Sequence, residues 1–535
     1  MTRFLSLSLP TLATDRVVRL MRAHGPGKAP EAPLATLAKI KSAQRLVAVD
    51  RKAQALGLKP GMTLTDARAR HPSLVTFDAD ARAEAETLSH IADWCRRFTP
   101  LAALDAPEGI ILDVSGAAHL FGGETKLLTE IEAQLEAQGF HARAALAPTP
   151  EAAWALARFG TRQILPEDEK ERRRVLGELP LAALRLDEKT IADLAQAGLR
   201  RIGDILLRPR APIAARFGST LHARLDALQG LTKSAISPRF EAPAYVAERR
   251  FLDCIMRRED IEATIASLAQ DLALMLTRHG EGARRLEVNL FRVDGMVKHI
   301  ETGTSRPLRD PQAIARLFRE RIEAIGQTDE TDPLDAGFGF DVIRLAALTV
   351  ERKDQEQTGW DTSSCVNETA DLAALIDRLG ARLGLRRVTR LAFNDTHIPE
   401  FAVAAMPAAE GNRTSRAYHL QQPASNNFEA NSNGVEKGLA QRPIRLLQHP
   451  EPIETIASVP DGPPLRFRWR RVMHEVTAIE GPERIAPEWW KNETALTRDY
   501  FRAEDSEGQR FWLFREGLFN RETARPRWFM HGFFA

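Results

Sequence analysis

Three carboxylates surround one short apolar run in the first quarter of the chain. Asp105 and Glu108 precede the run Ile110–Leu112, and Asp113 ends it. An apolar run that closes in a Ser-Gly turn is typical of a buried strand. Many phosphoryl-transfer enzymes hold Mg²⁺ with carboxylates on or beside such a strand, because this ion prefers anionic oxygen ligands. The first question is therefore whether this strand carries a complete metal site.

Composition limits the possible architectures and partners. The chain has 535 residues, too many for a single core, so we expect several domains. Its 74 basic and 72 acidic residues nearly cancel, so the net charge identifies no partner. The three cysteines lie far apart without Cys-x-x-Cys spacing, which disfavours a zinc site or a disulfide framework. The N-terminus matches neither a membrane span nor a signal peptide, so we expect a cytoplasmic protein without a membrane partner.

The first 170 residues alternate strand and helix patterns, which is typical of an α+β domain built on one sheet. Thr65 is expected to cap a helix over Asp66–Arg70. The predicted strands cover Phe4–Leu9, Arg45–Val49, residues 110–115 and Ala142–Ala147.

Residues 175–235 are predicted to be helical and to include a helix-hairpin-helix. Leu194–Asp204 has the pattern of a helix, a glycine-bracketed turn and a second helix. In such hairpins, glycines free backbone N–H groups to meet a phosphate. An ordinary helical hairpin is the alternative. The predicted DNA contacts are Gly198, Arg200, Arg201 and Gly203.

Residues 240–350 are predicted to form an α/β sandwich with both helices on one face of the sheet. Helical periodicity covers Ile261–Arg278 and Pro311–Ile325, and Leu286–Val293 alternates as a strand does. The arginines of this region are predicted to meet nucleic-acid phosphates, with a solvated basic face as the alternative. They are Arg284, Arg285, Arg306 and Arg309.

The remaining third of the chain has weaker signals. Residues 351–406 are predicted to be a linker with one helix and a short strand. Residues 407–441 are dense in Asn, Ser, Gly and Gln and are predicted to be disordered, because little apolar surface offsets the chain entropy. Residues 442–535 are strand-rich and contain most of the tryptophans, which indicates a small separate β domain.

Leu46–Leu74 resembles the fingers segment of Y-family DNA polymerases, with its Gly57, Gly61 and Met62 turn. Leu112–Ser115 resembles the second half of the palm motif of that family. The resemblance implies a multidomain α+β right hand: palm and fingers over 1–170 (fingers about 25–75), a helical thumb over 175–235, and an α/β little finger over 240–350. A small C-terminal β-rich domain would follow.

Five further runs resemble the ImuB group, the catalytically defective branch of the Y-family, and extend the resemblance over nearly the whole chain. Ordinary Y-family polymerases lack the C-terminal runs. The five are ADWCRRFTPLAALDAPEGIILDVSGAAHLFGG, GARRLEVNLFRVDG, GPERIAPEWW, YFRAEDSEGQRFWLFREG and PRWFMHGFFA.

The resemblance implies a degenerate metal site. Polymerisation uses two divalent ions about 3.5–4 Å apart, which the family holds with three carboxylates. Here Ser6 and Ser8 stand at the Asp-x-Asp of the family, Glu108 stands at its Asp and Gly109 at its catalytic Glu. We therefore predict no catalytic residue, no metal and no cofactor, with Mg²⁺ only if residual polymerase activity exists.

The alternatives are an active Y-family translesion polymerase, with an improvised site of Glu108, Asp105 or Asp113, and a repair nuclease or other hairpin-motif enzyme. No His/Asp cluster in the sequence favours the nuclease. The first thumb hairpin is also altered, because Leu184-Arg185-Leu186 replaces the Gly-Ile-Gly of the family.

The resemblance finally implies partners for a non-catalytic scaffold in damage-induced (SOS) mutagenic translesion synthesis. These partners are DNA, ImuA, an error-prone C-family DNA polymerase and the sliding clamp (β subunit). By this resemblance, the linker over 351–406 and the C-terminal domain over 442–535 would bind the clamp and the other protein partners. Gln355 and Trp360 are the leading Gln and aromatic anchor of a candidate clamp peptide, with an ordinary linker as the alternative. Trp489, Trp490 and the terminal run Trp528–Phe534 are candidate docking surfaces or, alternatively, the core of a small β domain.

Overall fold

The structure is a computed structural model that describes residues 2–23, 31–232, 234–326, 334–353, 364–410, 442–443, 445–457 and 462–534. The chain divides into two compact units, Met1–Arg382 and Leu383–Ala535. Within the described ranges, we find no helix with both the length and the apolar character needed to cross a bilayer.

The N-terminal part of the first unit alternates strands and helices, as predicted. In chain order its elements are β1 (Phe4–Ser8), α1 (Leu12–Ala23), β2 (Leu34–Ile40), β3 (Ala43–Val49), α2 (Arg51–Ala55), α3 (Leu64–Arg70), β4 (Val75–Asp78), α4 (Ala81–Cys95), β5 (Ala102–Asp105), β6 (Gly109–Asp113), α5 (Glu124–Ala137), β7 (Arg143–Ala147) and α6 (Pro150–Phe159).

The palm is a four-stranded sheet in the order β5-β6-β1-β7. All five residues of β1 are buried, because apolar side chains cover both faces of the sheet. Leu5 and Leu7 pack with Ile110 and Leu112 against α4 and α5. Phe4 packs on the other face against α6. The strand predicted from the apolar run is β6, which lies inside the sheet between β5 and β1. The positions predicted for metal ligands therefore lie on or beside two central strands.

The fingers are a three-stranded sheet, β3-β2-β4, with α2 and α3. Sequence analysis missed β2 and β4 and misplaced one helix cap. Thr63, not Thr65, is the N-cap of α3, because its hydroxyl accepts the backbone N–H of Asp66 at 3.2 Å. Gly57 and Gly61 have φ values of 81° and 89°, so the predicted turn uses the left-handed conformation that glycine favours.

Short helices follow the palm, in the region predicted to be the thumb. They are α7 (Glu169–Glu178), α8 (Glu188–Gln196), α9 (Ile202–Leu206), α10 (Arg210–Phe217) and α11 (Thr220–Gln229). Their apolar faces share one core with α6 of the palm. The turn between α8 and α9 contains Gly198 at φ 79°, so the predicted order of helix, glycine turn and second helix is present.

The next region is a four-stranded antiparallel sheet, in the order β10-β9-β11-β8, with helices on one face. Leu286, Val288 and Leu290 of β9 face those helices, so alternate residues of the strand form the opposite, polar face. The elements are β8 (Tyr245–Ile255), α12 (Arg258–His279), β9 (Glu281–Arg292), β10 (Val297–Leu308), α13 (Pro311–Gly326) and β11 (Phe340–Arg352).

One more helix, α14 (Ser364–Leu383), packs on this sandwich. The Asp377 carboxylate accepts the backbone N–H of Ser305 at 2.5 Å, and Arg378 pairs with Glu320 of α13 at 2.8 Å. The predicted helix after residue 351 is therefore joined to β10 and α13.

The second unit contains a small hairpin and a closed six-stranded barrel, β14 to β19. Its strands are β12 (Thr389–Phe393), β13 (Val403–Pro407), β14 (Arg445–Ala457), β15 (Pro464–Trp469), β16 (Val472–Ile485), β17 (Arg498–Asp505), β18 (Arg510–Glu516) and β19 (Arg527–Phe533). Trp528 and Met530 of the terminal run lie in the barrel core, whereas Trp489 and Trp490 are 69% and 60% exposed. Residues 411–441, which include most of the segment predicted to be disordered, lie outside the described residues.

Candidate functional site

The four positions predicted to be degenerate lie together on or directly beside two neighbouring strands of the sheet. Antiparallel pairing of β1 with β6 places Ser8 opposite Gly109 and Ser6 opposite Ile111, and Glu108 directly precedes β6. Both serines are buried, and the Ser6 hydroxyl has no hydrogen-bond partner among the described residues. Glu108 is thus the one carboxylate at these four positions, and the neutral hydroxyls are weak ligands for Mg²⁺.

Gly109 has no space for a side chain. A Cβ at this position would lie 2.8 Å from both Asp105 Oδ2 and Arg158 Nη2, and 2.9 Å from the Asp105 carbonyl oxygen. Contacts this short require neighbouring atoms to shift, and the Asp105 carbonyl oxygen, a backbone atom, cannot do so cheaply. The side chains of Asp105 and Arg158 therefore fill the space that a glutamate at position 109 would need.

An arginine–carboxylate cluster has formed around this point. Arg185 Nη2 lies 2.8 Å and Arg158 Nη2 lies 3.4 Å from Asp105, and Arg158 Nε is 3.9 Å from Glu108. The guanidinium groups of Arg158 and Arg185 lie 4.5 and 4.0 Å from the Trp154 ring centroid, within cation–π range. The guanidinium groups of Arg158 and Arg185 thus lie beside the carboxylates that a metal ion would need as ligands.

The electrostatics of the cluster disfavour a metal ion. Burial raises the pKa of Glu108, and Asp105 adds to this effect while Arg158 opposes it. Burial lowers the pKa of Arg158, against the influence of Asp105 and Glu108. No group of three or more His, Cys, Asp or Glu side chains within the described ranges is placed to hold a metal ion. This donor set does not fit a pair of Mg²⁺ ions.

Asp113 has the structural role that the Ser-Gly turn suggested. Its Oδ1 accepts the backbone N–H of Ser115 at 2.9 Å, so the side chain caps the turn after β6. Asp105 is bound by two arginines. Two of the three carboxylates considered for an improvised metal site are therefore committed to intramolecular contacts.

Sequence reasoning missed Arg158 and Trp154 and did not connect Arg185 with the palm. Arg158 and Trp154 lie on α6 and follow ordinary helical spacing, so nothing in the sequence distinguishes them. Arg185 did leave a signal, because it replaces a residue of a glycine-rich hairpin. It has φ 52°, an uncommon backbone conformation for a residue other than glycine.

Two backbone amides of the thumb hairpin are already bonded within the chain. The backbone N–H groups of Arg200 and Arg201 both donate to Asp204 Oδ2 at 2.9 Å, and these two bonds lower the pKa of Asp204. Gly203 serves packing, because a Cβ there would lie 3.0 Å from the Gly177 carbonyl oxygen. The side chains of Arg200 and Arg201 are exposed, so these side chains are the groups that remain for phosphates.

The predicted arginines of the little finger differ in their surroundings. Arg284 donates to the Ser305 carbonyl at 2.6 Å, and Arg285 pairs with Glu301 at 2.8 Å and with Glu241 at 3.1 Å. Arg306 is exposed near the end of β10, and Arg309 is partly exposed just after it. Gln355 and Trp360 lie outside the described residues.

Comparisons with known proteins match two separate regions of the chain to one protein family. Residues 27–158 match the model of the impB/mucB/samB family, and residues 243–359 match the model of its C-terminal domain. Protein ImuB of Caulobacter vibrioides is 38% identical over 488 residues, which cover 90% of this chain and 100% of that protein. The chain belongs to the ImuB family. The resemblance found in the sequence is thereby confirmed.

More distant relatives of this ImuB-family chain are polymerases. DNA polymerase IV of Caulobacter vibrioides is 24% identical over 277 residues, which cover 50% of this chain and 68% of that protein. The solved structure of DinB from Sulfolobus solfataricus is 14% identical and covers 65% of this chain and 100% of its own, with a TM-score of 0.38. Family membership and the mixed α/β architecture with its C-terminal barrel confirm the predicted fold class.

Proposed function

We propose that the chain is a non-catalytic, polymerase-like scaffold for damage-induced (SOS) mutagenic translesion synthesis. In this function it binds DNA, the sliding clamp, ImuA and an error-prone C-family DNA polymerase. The observation that carries the proposal is the palm cluster. Arg158 and Asp105 fill the space at Gly109, and the partner strand offers serines.

The loss of catalysis follows from the charges at this site. Two-metal catalysis needs anionic ligands that hold two divalent ions against the primer oxygen and the triphosphate. Asp105 is neutralised by Arg158 and Arg185, and burial raises the pKa of Glu108. A divalent ion would have to displace two guanidinium groups and would gain few anionic oxygens.

Phosphate contacts from arginine side chains support the DNA-binding part of the proposal. Arg200 and Arg201 lie in the turn between α8 and α9, Arg306 lies near the end of the edge strand β10, and Arg309 lies just after it. Guanidinium groups bind phosphate with little dependence on base sequence. Arg284 and Arg285 already contact protein oxygens, so we assign them a smaller share of the phosphate contacts.

The sequence and the exposed aromatics support the protein partners. Gln355 and Trp360 retain the spacing of a clamp peptide, and an exposed Trp489–Trp490 pair in the second unit suits an aromatic anchor at an interface. We propose that the segments after residue 350 bind the clamp, ImuA and the C-family polymerase.

Primer extension on undamaged and lesion-containing templates, with Mg²⁺ or Mn²⁺, tests the absence of catalysis. We expect no incorporation above a no-protein control, for the wild type and for Glu108→Ala alike. Incorporation by the wild type that Glu108→Ala abolishes would instead identify an active polymerase with an atypical metal site.

Fluorescence anisotropy with labelled duplex at several salt concentrations tests DNA binding. Arg306→Gln and Arg309→Gln should each weaken binding and reduce the slope of log K against log salt by about 1 per lost contact. Arg82→Gln is the matched control, since this arginine is 90% exposed on α4 and belongs to no proposed contact. Equal losses for all three variants would contradict the assignment.

A clamp pull-down tests the peptide. The double variant Gln355→Ala/Trp360→Ala should lose the clamp, whereas Thr358→Ala, between the two anchors, should retain it. Unchanged binding of the double variant would remove the peptide from the proposal.

A further inference from the structure

Two of the sequence runs typical of the ImuB group meet in the folded chain. Arg96 comes from the first run and follows α4, and Glu287 and Asn289 come from the second run on β9. Arg96 Nη2 is 2.5 Å from Glu287 Oε2, and its Nη1 donates to Glu287 Oε1 at 3.1 Å and Asn289 Oδ1 at 3.3 Å. The side chains of Arg96 and Glu287 are 6% and 11% exposed, so this is a buried, bidentate ion pair between palm and little finger.

The neighbouring arginine makes a second contact of the same kind. Arg97 Nη2 lies 2.6 Å from Asp341 Oδ2, and its side chain is 5% exposed. Its guanidinium group also lies 5.9 Å from the ring centroid of Phe291 on β9. Consecutive arginines at the end of one helix thus engage two different strands of the little-finger sheet.

Arg344 of β11 completes the contact from the other side. It pairs with Glu248 of β8 and donates to the backbone carbonyls of Arg96 and Arg97, the latter at 3.0 Å. A cation at the C-terminal end of a helix satisfies unpaired carbonyls and opposes the negative end of the helix dipole. The little finger therefore caps α4 of the palm.

The register shows which face of the sheet is used. Glu248, Arg344, Asn289 and His299 lie directly opposite one another across β8, β11, β9 and β10. They occupy the face opposite the apolar side that packs on the helices. Palm arginines occupy the centre of this polar face.

The charge of the face suits guanidinium groups and not phosphates. Glu248, Glu287 and Asp341 each pair with an arginine of the junction. Glu248 keeps its pairing with Arg344 of the same sheet, but without the palm arginines, Glu287 and Asp341 would lose their guanidinium partners and would repel a nucleic-acid backbone. Arg285, on the same strand, is paired with Glu301 and Glu241.

The segment that leads into the little finger is attached to the palm at the same place. The Arg239 backbone N–H donates to the Ala102 carbonyl at 2.9 Å, and Arg96 lies 4.3 Å from the Phe240 ring centroid. These contacts hold the segment against the palm, whereas a freely mobile linker would lack them.

We propose that the polar face of the little-finger sheet is a protein-docking face, held permanently on the end of α4 by Arg96, Arg97 and Arg344. The palm and the little finger are one rigid body, and DNA is bound by other surfaces. The rigid docking is independent of the proposed function, whereas the statement about DNA rests on it.

Hydrogen exchange of the full-length chain tests the docking. Glu287→Arg should increase exchange at least tenfold both in β9–β10 and in residues 93–99, and the double reversal Arg96→Glu/Glu287→Arg should restore part of the protection. Glu301→Arg is the matched control, because Glu301 lies directly opposite Glu287 on β10 but is 51% exposed and contacts no palm residue among those described. Exchange at residues 93–99 that Glu287→Arg leaves unchanged would overturn the docking.

Two further measurements keep the proposal testable if the charge-reversed variant does not fold. Arg97→Gln keeps the Arg96–Glu287 pair and should raise exchange in the same segments by a smaller factor, which covers a folding failure of the reversal. In DNA anisotropy, Arg96→Ala/Arg97→Ala should bind duplex within threefold of the wild type. A gain of tenfold or more would show instead that the face binds DNA once it is released. A wild type that binds no DNA would contradict the proposed function and leave the exchange result standing.

Discussion

Arg185 of the thumb donates to Asp105 of the palm at 2.8 Å, beside Gly109, the position predicted to correspond to the catalytic glutamate of the polymerase family. Two departures from the family pattern are therefore physically connected. The residue that alters the first thumb hairpin contacts a carboxylate beside the degenerate metal site. Because Arg158 and Trp154 join the same cluster, these residues form a structural contact between palm and thumb at this point.

The first prediction concerns the coupling between these two residues. Arg185→Gln and Asp105→Asn should be non-additive, with a coupling free energy of about 1 kcal/mol, since Arg185 is 34% exposed and water screens the pair. A double-mutant cycle measured by urea unfolding of the full chain checks this value. Strict additivity would show that the contact contributes nothing to stability.

The second prediction concerns the space at Gly109. Gly109→Ala should lower the free energy of unfolding by about 1–3 kcal/mol, because its Cβ would overlap Arg158, the Asp105 carboxylate and the Asp105 carbonyl. In the Arg158→Ala background the cost should be smaller but not zero, since the backbone carbonyl remains. An equal cost in both backgrounds would contradict the proposed overlap.

The third prediction concerns the thumb hairpin. Asp204→Ala removes the acceptor of two backbone amides, so hydrogen exchange at Arg200 and Arg201 should accelerate at least tenfold. Asp187→Ala is the matched control. Asp187 caps α8 by accepting the Thr190 amide, and its loss should leave the exchange of Arg200 and Arg201 unchanged. Equal acceleration in the two variants would mean that the whole hairpin opens.

Local patterns were enough to predict several elements of this chain. The apolar run Ile110–Leu112 gave the central palm strand, and the Ser-Gly turn gave the role of Asp113. Strand β8 was missed, because its exposure follows no strict alternation and charged residues interrupt its apolar positions. A search for alternating apolar and polar residues therefore does not identify such a strand.

Contacts between distant segments could not be predicted in this way. Arg96 and Glu287 are 191 positions apart. Each lies in a run that resembles the ImuB group, but neither run indicates which residue the other one contacts. The cluster at Asp105 likewise draws on β5, α6 and a thumb turn. A single sequence gives the type of each residue, whereas the pairing of these charges depends on the packing of three domains.

The fourth prediction follows from the titration of Glu287. Burial alone would raise its pKa, but contacts with His299 and Arg96 outweigh burial and lower it to about 2. An unfolded glutamate has a pKa of about 4.3. As the pH falls, the unfolded chain therefore binds the proton first. The stabilisation from this carboxylate is complete above about pH 5 and is lost between about pH 4.3 and pH 2.

The size of this effect is on the order of 3 kcal/mol. The free energy of unfolding should fall less steeply between pH 5 and pH 3 in Glu287→Gln than in the wild type. Urea titrations of both proteins across this range measure the difference. Identical slopes would contradict a depressed pKa at Glu287.

The fifth prediction concerns the C-terminal barrel, where His531 is fully buried. The Tyr500 hydroxyl and His531 Nδ1 are hydrogen-bonded at 2.9 Å, and His531 Nε2 lies 3.7 Å from Glu400 Oε2. Burial lowers the pKa of His531 to about 4, although Glu400 opposes this shift. An unfolded histidine has a pKa of about 6.5, so the unfolded chain gains the proton first as the pH falls.

The barrel should accordingly be most stable above about pH 6.5 and should lose stability down to about pH 4, with a loss of about 2 kcal/mol between pH 7 and pH 5. His531→Gln, which keeps an acceptor for Tyr500, should remove most of this loss, while His449→Gln on the exposed part of β14 should retain it. Urea unfolding of the full chain at the two pH values, followed by hydrogen exchange in β17–β19, makes the comparison. If His531→Gln kept the wild-type difference between pH 7 and pH 5, the pH sensitivity of the barrel would have to originate from another group.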